Sequence, residues 1–538
     1  MIFEQKKPPQ KKENVPLDFK QGAYDFELSR RNDYANLEYN PVFRSSAIFF
    51  AMKKKGFDTK LSFLDYWKIK NKNDNVTFLC TIRDAEGKKI YRNFKRIDKT
   101  ISTISLTKIL EQLKLENDFL GSIECEFHST DDLKYSFPAI QIFYETDEGV
   151  SCVHSNQRIF NNIEDDIANQ NLNGMQTGFD VHLDDTYFSF LTFINGPVEI
   201  KDRKLEIIFY NHKGEEFKYR KFYKKINGHQ TIFFDFRSCD GLKKFLGGKS
   251  GFCKALIPTK HSFNRILTGT FSNEFKRSSI THSYYDCSET SDYINEEQIN
   301  AREYKCFLPF NMIDGIDLEF VFYPIFSKSN LKISLETFDK SSGEKIISDD
   351  ILSLNKDFKN PVILPINKFL KHFSVSDSIY CLDIKSDKGE IPSRLTLGMN
   401  YKINGLGSNI SSSAISNLGK KFNKRTYFWG PAIYGNQMQS YVCLSHFNCE
   451  KDNQETNVIL FKLFNESGLI FENEYTLKNP SALNISVNDI LQGMDYKSKN
   501  TKGGNEILWF TLESNNVNFI CNHIHKSKFG LVTADHSF

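Results

Sequence analysis

The segment "CNHIH" places three metal-binding residue types at alternate positions, Cys521, His523 and His525. On a β-strand these side chains would share one face, with about 7 Å between neighbours. Thiolate and imidazole groups are zinc ligands, and Asp535 or His536 could complete the set. Ligands adjacent on one strand splay apart, however, and most zinc sites use turns or separate strands. We therefore predict no cofactor, with zinc at these three residues as the alternative.

A second histidine pattern is a repeated His-Ser pair. His154, His282 and His536 each precede a serine, in the segments "SCVHS", "SSITHSYYD" and "TADHS". The first two histidines are 128 residues apart and the last two 254, which is about twice that distance. A fourth position is therefore expected midway, where "SNISSS" places Ser411. The spacing indicates an internal repeat of about 127 residues.

A second landmark keeps the same period. Short apolar runs end in a polar turn at Gly87, Gly214, Gly343 and Gly468, with spacings of 127, 129 and 125 residues. From each glycine to the matching His or Ser411 the distance is 67, 68, 68 and 68 residues. Similar segments follow each turn, namely "ISLTKIL", "IFFDFRSCDGL", "VILPINKFL" and "ISVNDIL". Two independent landmarks with one offset predict four copies of one unit.

Each unit reads as β-structure. Asp, Asn and Ser beside the turn glycine are typical of hairpins, and the flanking runs are rich in aromatic and β-branched residues. About seven strands in some 110–127 residues are the size and strand density of an antiparallel sandwich. Propeller blades, at about 40–50 residues, are too short. We predict an all-β chain of four tandem antiparallel β-sandwich units, immunoglobulin-like or jelly-roll-like.

Polar segments poor in β-branched residues separate the units and give the boundaries. The predicted organisation is an N-terminal arm, then units one, two, three and four, over residues 1–40, 41–164, 165–296, 297–420 and 421–538.

The repeated histidines follow rows of apolar residues on alternate strand positions, such as Ile280 before His282. We predict that His154, His282 and His536, with Ser411 in the equivalent place, are structural, each ring donating to a backbone carbonyl at the end of a core row. Thr281 and Ser283 would then face outward. The alternative is a repeated ligand site with one histidine per unit.

Exposed aromatic side chains could stack on a sugar, and the candidates are Tyr284, Tyr285 and Trp429. Core packing is the alternative for each. The signatures GxSxG, HExxH and GxGxxG do not occur, so we name no catalytic residues. The four units share a fold but no catalytic constellation, which favours a protein without enzymatic activity.

The bulk composition limits partners and location. Lys and Arg number 70 against 67 Asp and Glu, and a net charge of only +3 gives no electrostatic argument for nucleic acid. The sequence has neither a signal-peptide pattern nor an apolar run long enough to cross a bilayer, and its 11 cysteines are scattered without a CxxC pair. We predict a cytoplasmic or particle-associated protein with reduced thiols, no nucleic acid partner and no membrane insertion; the oligomeric state is not determined by these features.

These observations together predict a multidomain scaffold or binding protein for a saccharide or protein partner, with a phage or virion structural protein as a subcase. The alternative is a hydrolase, metal-dependent or acting on glycans, with its site in unit four or at a unit interface.

Overall fold

The structure, a computed structural model, describes residues 42–115, 118–154, 157–161, 175–263, 265–288, 305–356, 358–370, 378–388, 391, 395–403, 405–413, 425–435, 437–447, 457–498, 504–515 and 519–538. Almost all of the regular structure in them is antiparallel β-sheet. The predicted N-terminal arm, residues 1–40, lies outside the described residues.

Unit one contains β1 (Arg44–Lys53), β2 (Phe57–Leu64), α1 (Tyr66–Asn71), β3 (Thr77–Asp84), β4 (Lys89–Arg96), β5 (Ile101–Ser105), α2 (Leu106–Gln112), β6 (Phe119–His128), β7 (Ile140–Thr146) and β8 (Gly149–His154), followed by β9 (Arg158–Ile159). Unit two contains β10 (Gln176–Thr177), β11 (Asp180–Val181), β12 (Tyr187–Ile194), β13 (Ile200–Tyr210), β14 (Glu216–Ile226), β15 (Thr231–Asp235), α3 (Leu242–Leu246), β16 (Gly251–Leu256), β17 (Ser262–Phe263), β18 (Leu267–Ser272), β19 (Ser278–His282) and β20 (Tyr284–Tyr285).

Unit three contains β21 (Lys305–Phe310), β22 (Asp317–Phe322), β23 (Leu331–Asp339), β24 (Lys345–Leu354), β25 (Val362–Pro365), β26 (Ser378–Ser386), β27 (Thr396–Ile403) and β28 (Leu406–Ser413). Unit four contains β29 (Arg425–Tyr434), β30 (Met438–His446), β31 (Asn457–Asn465), β32 (Gly468–Leu477), β33 (Ser481–Ser486), α4 (Val487–Gly493), β34 (Glu506–Asn515), β35 (Ile520–Ser527) and β36 (Val532–His536).

Two sheets form each unit, and their strand order repeats. In unit one the orders are β1-β6-β3-β4 and β5-β2-β7-β8; in unit four they are β29-β34-β31-β32 and β33-β30-β35-β36. Unit three has the same arrangement, whereas unit two replaces the first edge strand by the short β10 and β11 and adds β20. The predicted fold class, four tandem antiparallel β-sandwich units, is confirmed.

The four landmark glycines lie at one recurring hairpin turn, which joins β3 to β4, β13 to β14, β23 to β24 and β31 to β32. Gly87, Gly214, Gly343 and Gly468 all have positive φ, at 87°, 78°, 73° and 133°. A residue with a Cβ is strained there, so the requirement for glycine explains why this landmark is so regular in the sequence.

The four landmark segments after these turns end a strand and start a short helical turn. Ser105 and Ser486 cap α2 and α4 by accepting the backbone N–H of Lys108 and of Asp489. Asp235 does the same for a 3₁₀ turn in unit two by accepting from Arg237. These are preferred N-cap residues, so local chemistry explains the third landmark in units one, two and four; in unit three Pro365 stands at the cap and makes no such bond.

The predicted unit boundaries fall in segments 162–174, 289–304 and 414–424, outside the described residues, and they stay predictions. Pairing across the first boundary does occur, because β9 forms a two-stranded ladder with β17 of unit two.

The last long strand of each sandwich is an edge strand, and the four edges meet at the centre of the molecule. We call β8, β19, β28 and β36 the axial strands. β8 contacts β19 and β36, and β28 contacts the same two strands, so the units form a closed ring in the order one, two, three, four. Unpaired strand edges are prone to aggregation, and the ring covers these four.

Hydrophobic packing also crosses the units. One buried cluster contains residues of units one and two together with Trp429, Ile433 and Trp509 of unit four. A second cluster joins unit three to Ile524 and Val532 of unit four. Within the described residues no helix is long and apolar enough to cross a bilayer. The ten cysteines in that part of the chain are all buried and none forms a disulfide.

Candidate functional site

The axial strands contact one another through side chains, not through a continued ladder. Ser151 donates to the Ser278 carbonyl at 2.6 Å, and Thr281 donates to the Asn409 carbonyl at 2.9 Å. Ser408 donates to the Ala534 carbonyl at 3.2 Å, which links units three and four.

The ring closes between units four and one. There the Cys152 backbone N–H donates to Thr533 at 3.0 Å. Small and short polar side chains let the four axial strands approach one axis. These side chains occupy strand positions that the alternation in the sequence predicts to face solvent. Ser283, predicted to face outward, is fully buried and donates to Gln176 at 2.8 Å. That expectation was wrong because Ser283 lies past the end of β19, where Gln176 and Ile266 of the same unit bond to its hydroxyl.

The repeated histidines converge on this axis. The ring of His154 lies 4.4 Å, centroid to centroid, from those of His282 and His536. Sheet register pairs Ser411 of β28 with Gly398 of β27, as it pairs His154 of β8 with Gln141 of β7 and His536 of β36 with Asn522 of β35. The side chain of Ser411 is outside the described part of the structure. Three units therefore bring an imidazole to one place.

Hydrogen bonds fix the rings in two ways. The Nδ1 atoms of His282 and His536 lie 2.8 Å and 3.2 Å from the carbonyl oxygens of Ser283 and Ser537. Because a carbonyl only accepts, Nδ1 carries the proton and Nε2 carries the lone pair. The Nδ1 of His154 instead lies 2.9 Å from a carboxylate oxygen of Asp535.

Asp535 is the residue that the sequence reasoning offered only as a spare ligand. Its carboxylate accepts from the backbone N–H of His154 at 2.9 Å, from that of His536 at 2.8 Å, and from the Gln141 amide at 3.1 Å. One signal could have identified it. The position before each repeated His or Ser411 holds Val153, Thr281 and Ile410 in the other units, so Asp535 is the one charged member.

The electrostatics favour neutral imidazoles at His282 and His536. Burial, and then the proximity of His154, lowers the pKa of His282 well below its ordinary value and that of His536 to about 4. Burial alone would raise the pKa of Asp535, but His154, His536 and His523 together hold that pKa well below its usual range.

A second group lies beside the first. The structure brings His523 and His525 together with Cys152 of unit one, not with Cys521. The Nδ1 of His523 is 3.0 Å from the Nε2 of His525, whose Nδ1 is 2.7 Å from the Ser440 hydroxyl. Cys521 lies apart, with its sulfur 3.1 Å from the Ser537 hydroxyl. Cys152 therefore takes the place of Cys521 in the predicted set. The contact of unit one with unit four brings this cysteine to the two histidines, and proximity in the sequence did not indicate it.

The thiol in this second group is a poor ligand as it stands. Burial, with the negative charge of Asp535, raises the pKa of Cys152 to about 12. Burial likewise lowers the pKa of His523 to about 4, and its Nε2 has no hydrogen-bond partner among the described residues. The side chains of this second group are therefore all uncharged as possible metal ligands.

The predicted stacking platforms are not exposed. Tyr284 is 1% exposed and packs against Tyr323 of unit three, with 5.8 Å between ring centroids. Trp429 is 5% exposed and lies 4.8 Å from the ring of Tyr66 in unit one. Both rings fill junctions between units, which corrects their assignment as sugar platforms. The side chain of Tyr285 is outside the described part of the structure.

A groove of about 830 Å³ lies elsewhere, where units three and four meet. Gly315 and Ile403 contribute from unit three, and most of the lining comes from unit four. Its principal side chains are those of Tyr434, Gln437, Gln439, Gln492, Lys526 and Phe529. None of the groove residues belongs to the axial histidine groups.

Comparison with known proteins identifies no relative by sequence: no family model and no curated protein matches the chain. Solved structures give low similarity, each at 10% identity. A serine-rich repeat protein, Srr2, from Streptococcus agalactiae has a TM-score of 0.11 and covers 44% of this chain and 84% of its own.

A tetra-tandem repeat in the extending region of a large adhesion protein has a TM-score of 0.09, covering 86% of this chain and 91% of its own. The Bacteroides ovatus protein SGBP-B of a mixed-linkage glucan utilization locus, in complex with a mixed-linkage heptasaccharide, has the same TM-score and covers 84% and 89%. At these TM-scores the likeness carries no argument about function, and the chain is assigned to no family.

Proposed function

We propose that this protein is a multidomain scaffold that binds a saccharide in the groove between units three and four. The observation that carries the proposal is the groove's chemistry. The amides of Gln437, Gln439 and Gln492 make no hydrogen bond to another described residue, although all three line one groove. Unengaged amides beside aromatic rings suit a ligand that is both polyhydroxylated and partly apolar.

Each group has a role in such a site. A side-chain amide both donates and accepts, so it can bind neighbouring hydroxyls of a sugar ring. Phe529 is 40% exposed, and its ring can cover the apolar C–H face of a pyranose. Tyr434 borders the groove with its hydroxyl 3.4 Å from the Tyr496 carbonyl, which holds its ring in place.

The fold supports a scaffold because the groove residues are held by regular structure. Asn488, in α4, accepts the Ser440 N–H at 2.9 Å and donates to the Met438 carbonyl at 3.0 Å, so the groove floor is tied to β30. A preformed site loses less conformational entropy when a ligand binds.

The experiment is a glycan screen of the full-length protein, followed by calorimetric titration of any glycan that binds. Phe529→Ala and Gln492→Ala should each weaken binding by at least about tenfold, the equivalent of about 1.4 kcal/mol. Phe222→Ala is the matched control, because Phe222 is 76% exposed on β14 of unit two, far from the groove in sequence and not part of its lining. Absence of any bound glycan, or equal loss in the control, would overturn the proposal.

A hydrolase with its site at a unit interface remains the competing proposal, and the axial cluster is the observation in its favour. It places a carboxylate among three imidazoles at a junction of units. In that case the full-length protein would cleave a glycan or ester substrate, and Asp535→Asn would abolish cleavage while Phe529→Ala would affect only substrate binding.

A further inference from the structure

The axial histidines and Asp535 have the composition of a metal site. One ligand atom from each of His154, His282, His536 and Asp535 lies within 4.8 Å of every other. The residues come from units one, two and four, so no single unit contains the set. Three imidazoles and a carboxylate are the donors that Zn²⁺, Fe²⁺ and Co²⁺ accept in proteins.

The hydrogen bonds around the set have the form found around metal ligands. His282 and His536 each donate from Nδ1 to a backbone carbonyl, and no hydrogen bond within the described residues uses the Nε2 of either ring. Metal-bound histidines usually donate their other nitrogen to a carbonyl or a carboxylate. Two lone pairs are therefore oriented before any ion arrives.

Asp535 supplies the negative charge. The carboxylate lies against the His154 ring on one side and accepts from two backbone N–H groups on the other. These donors hold the carboxylate in place in a buried setting, where a neighbouring cation is stabilised more strongly than in water.

An ion can reach the set. The side chain of His154 is 14% exposed and His536 is partly exposed, whereas His282 and Asp535 are buried. The second group, of Cys152, His523 and His525, is fully buried, and its two imidazoles already bond to each other. The axial set is thus the better placed of the two.

We propose that the axis binds one divalent first-row transition metal ion through Nε2 of His282 and of His536, with His154 and the Asp535 carboxylate completing the site. The ion would join three units at the centre of the ring. The metal site is separate from the groove, so the test of metal binding is independent of the test of saccharide binding.

The test uses full-length protein prepared without an oligohistidine tag, stripped with a chelator and titrated with Co²⁺ and then Zn²⁺. We expect about one Co²⁺ per chain, visible absorption bands typical of a nitrogen-rich site, and displacement by Zn²⁺. His282→Gln should weaken binding by more than about 100-fold, since loss of an outer-shell partner alone costs 10–100-fold.

His446→Gln is the matched control. His446 is 2% exposed in β30 and belongs to neither histidine group, so its loss should leave the stoichiometry at one. If His282→Gln fails to fold, His536→Gln carries the same expectation, because His536 is only partly buried. Wild-type protein that takes up no Co²⁺ overturns the proposal. So does binding that survives both variants, or binding that is lost on His523→Gln alone, which would place the ion in the second group.

Discussion

Two junctions of the ring use different chemistry. Where unit four meets unit one, a carboxylate and imidazoles cross the boundary, and Asp535 bonds to both the backbone and the ring of His154. Where unit two meets unit three, the side-chain donors are a hydroxyl and an amide: Thr281 donates to the Asn409 carbonyl, and Asn400 donates to the Asp180 carboxylate at 3.0 Å.

The difference follows from chain connectivity. Units two and three are consecutive in the chain, so their partners stay near each other even when the junction opens. Units four and one are adjacent only because the ring closes, since their contacting residues are 381 positions apart. Side chains alone must hold that junction, and it contains the contact of Asp535 with His154 and the packing of Trp429 against Tyr66.

Removing Asp535 should have the largest effect. Asp535→Ala leaves the donors of His154, His536 and Gln141 buried without their acceptor, and we expect a loss of about 3–5 kcal/mol in the free energy of unfolding. Urea unfolding followed by tryptophan fluorescence would measure it, because Trp429 and Trp509 lie at this junction.

The matched variant at the other junction is Asn409→Ala, which keeps the carbonyl that accepts from Thr281 but removes the amide that donates to Asn400 at 2.6 Å and to Tyr323 at 3.1 Å. We expect a loss of about 1 kcal/mol in the free energy of unfolding. Asp185→Ala is the surface control, because Asp185 is 96% exposed beside Lys243 and its removal should not shift the midpoint. Equal losses for Asp535→Ala and Asn409→Ala would contradict the contrast between the junctions.

Replacing Asp65 should change the free energy of unfolding by less than replacing Asp535, and in the opposite direction. It caps α1, the helix that carries Tyr66 to Trp429, and burial raises the pKa of Asp65 from 3.8 to about 6. The native state therefore binds this proton more tightly than the unfolded state, so stability is lost as the pH rises from about 4 to about 6.

Asp65→Asn removes the ionisation but keeps a capping side chain. At pH 7 the variant should be more stable than the wild type by at most about 3 kcal/mol, and at pH 4 the difference should nearly vanish. Unfolding curves at the two pH values test this, and a variant that is less stable at pH 7 would show that the carboxylate is a net stabilising group.

The smallest expected effect is at the junction of units two and three. Thr281→Val replaces the unit-two residue by the one that unit one has at the same position, Val153, and removes a single hydroxyl bond at 2.9 Å. We expect a loss of about 0.5–1 kcal/mol, measured by the same urea titration. A loss of stability as large as that of Asp535→Ala would contradict the contrast. Side-chain contacts would then matter as much between units that are consecutive in the chain as between units four and one.

Sequence reasoning reached the fold because its signals are local. A turn that needs positive φ requires glycine, which recurs in all four units, and a short helix after a strand prefers Ser or Asp at its cap, which recurs in three. The axis was missed because it depends on how units contact one another. Alternation along β19 distinguishes the two faces of the strand, but it does not show that the outer face, with Thr281, contacts unit three.

The candidate metal ligands illustrate the same limit. His523 and His525 are close in sequence and close in space, so their pairing was predictable. Cys152 and Asp535 reach their groups only through the junction of units four and one, and no spacing rule relates residues 381 positions apart. The repeat did align His154, His282 and His536, but equivalence in a repeat does not imply contact, which requires closure of the ring.

Closure of the ring of four units also determines how the protein unfolds. In an open row of repeats the terminal units have one neighbour each, so they fray first and the row can shorten stepwise. Here each axial strand has a neighbour on both sides, so the opening of any sandwich disrupts two junctions at once. Unfolding of one unit then affects all four units. The conformational entropy gained by partial unfolding is small compared with the contacts that are lost. The chain should therefore lose its structure in one cooperative step, in spite of being built from four similar parts.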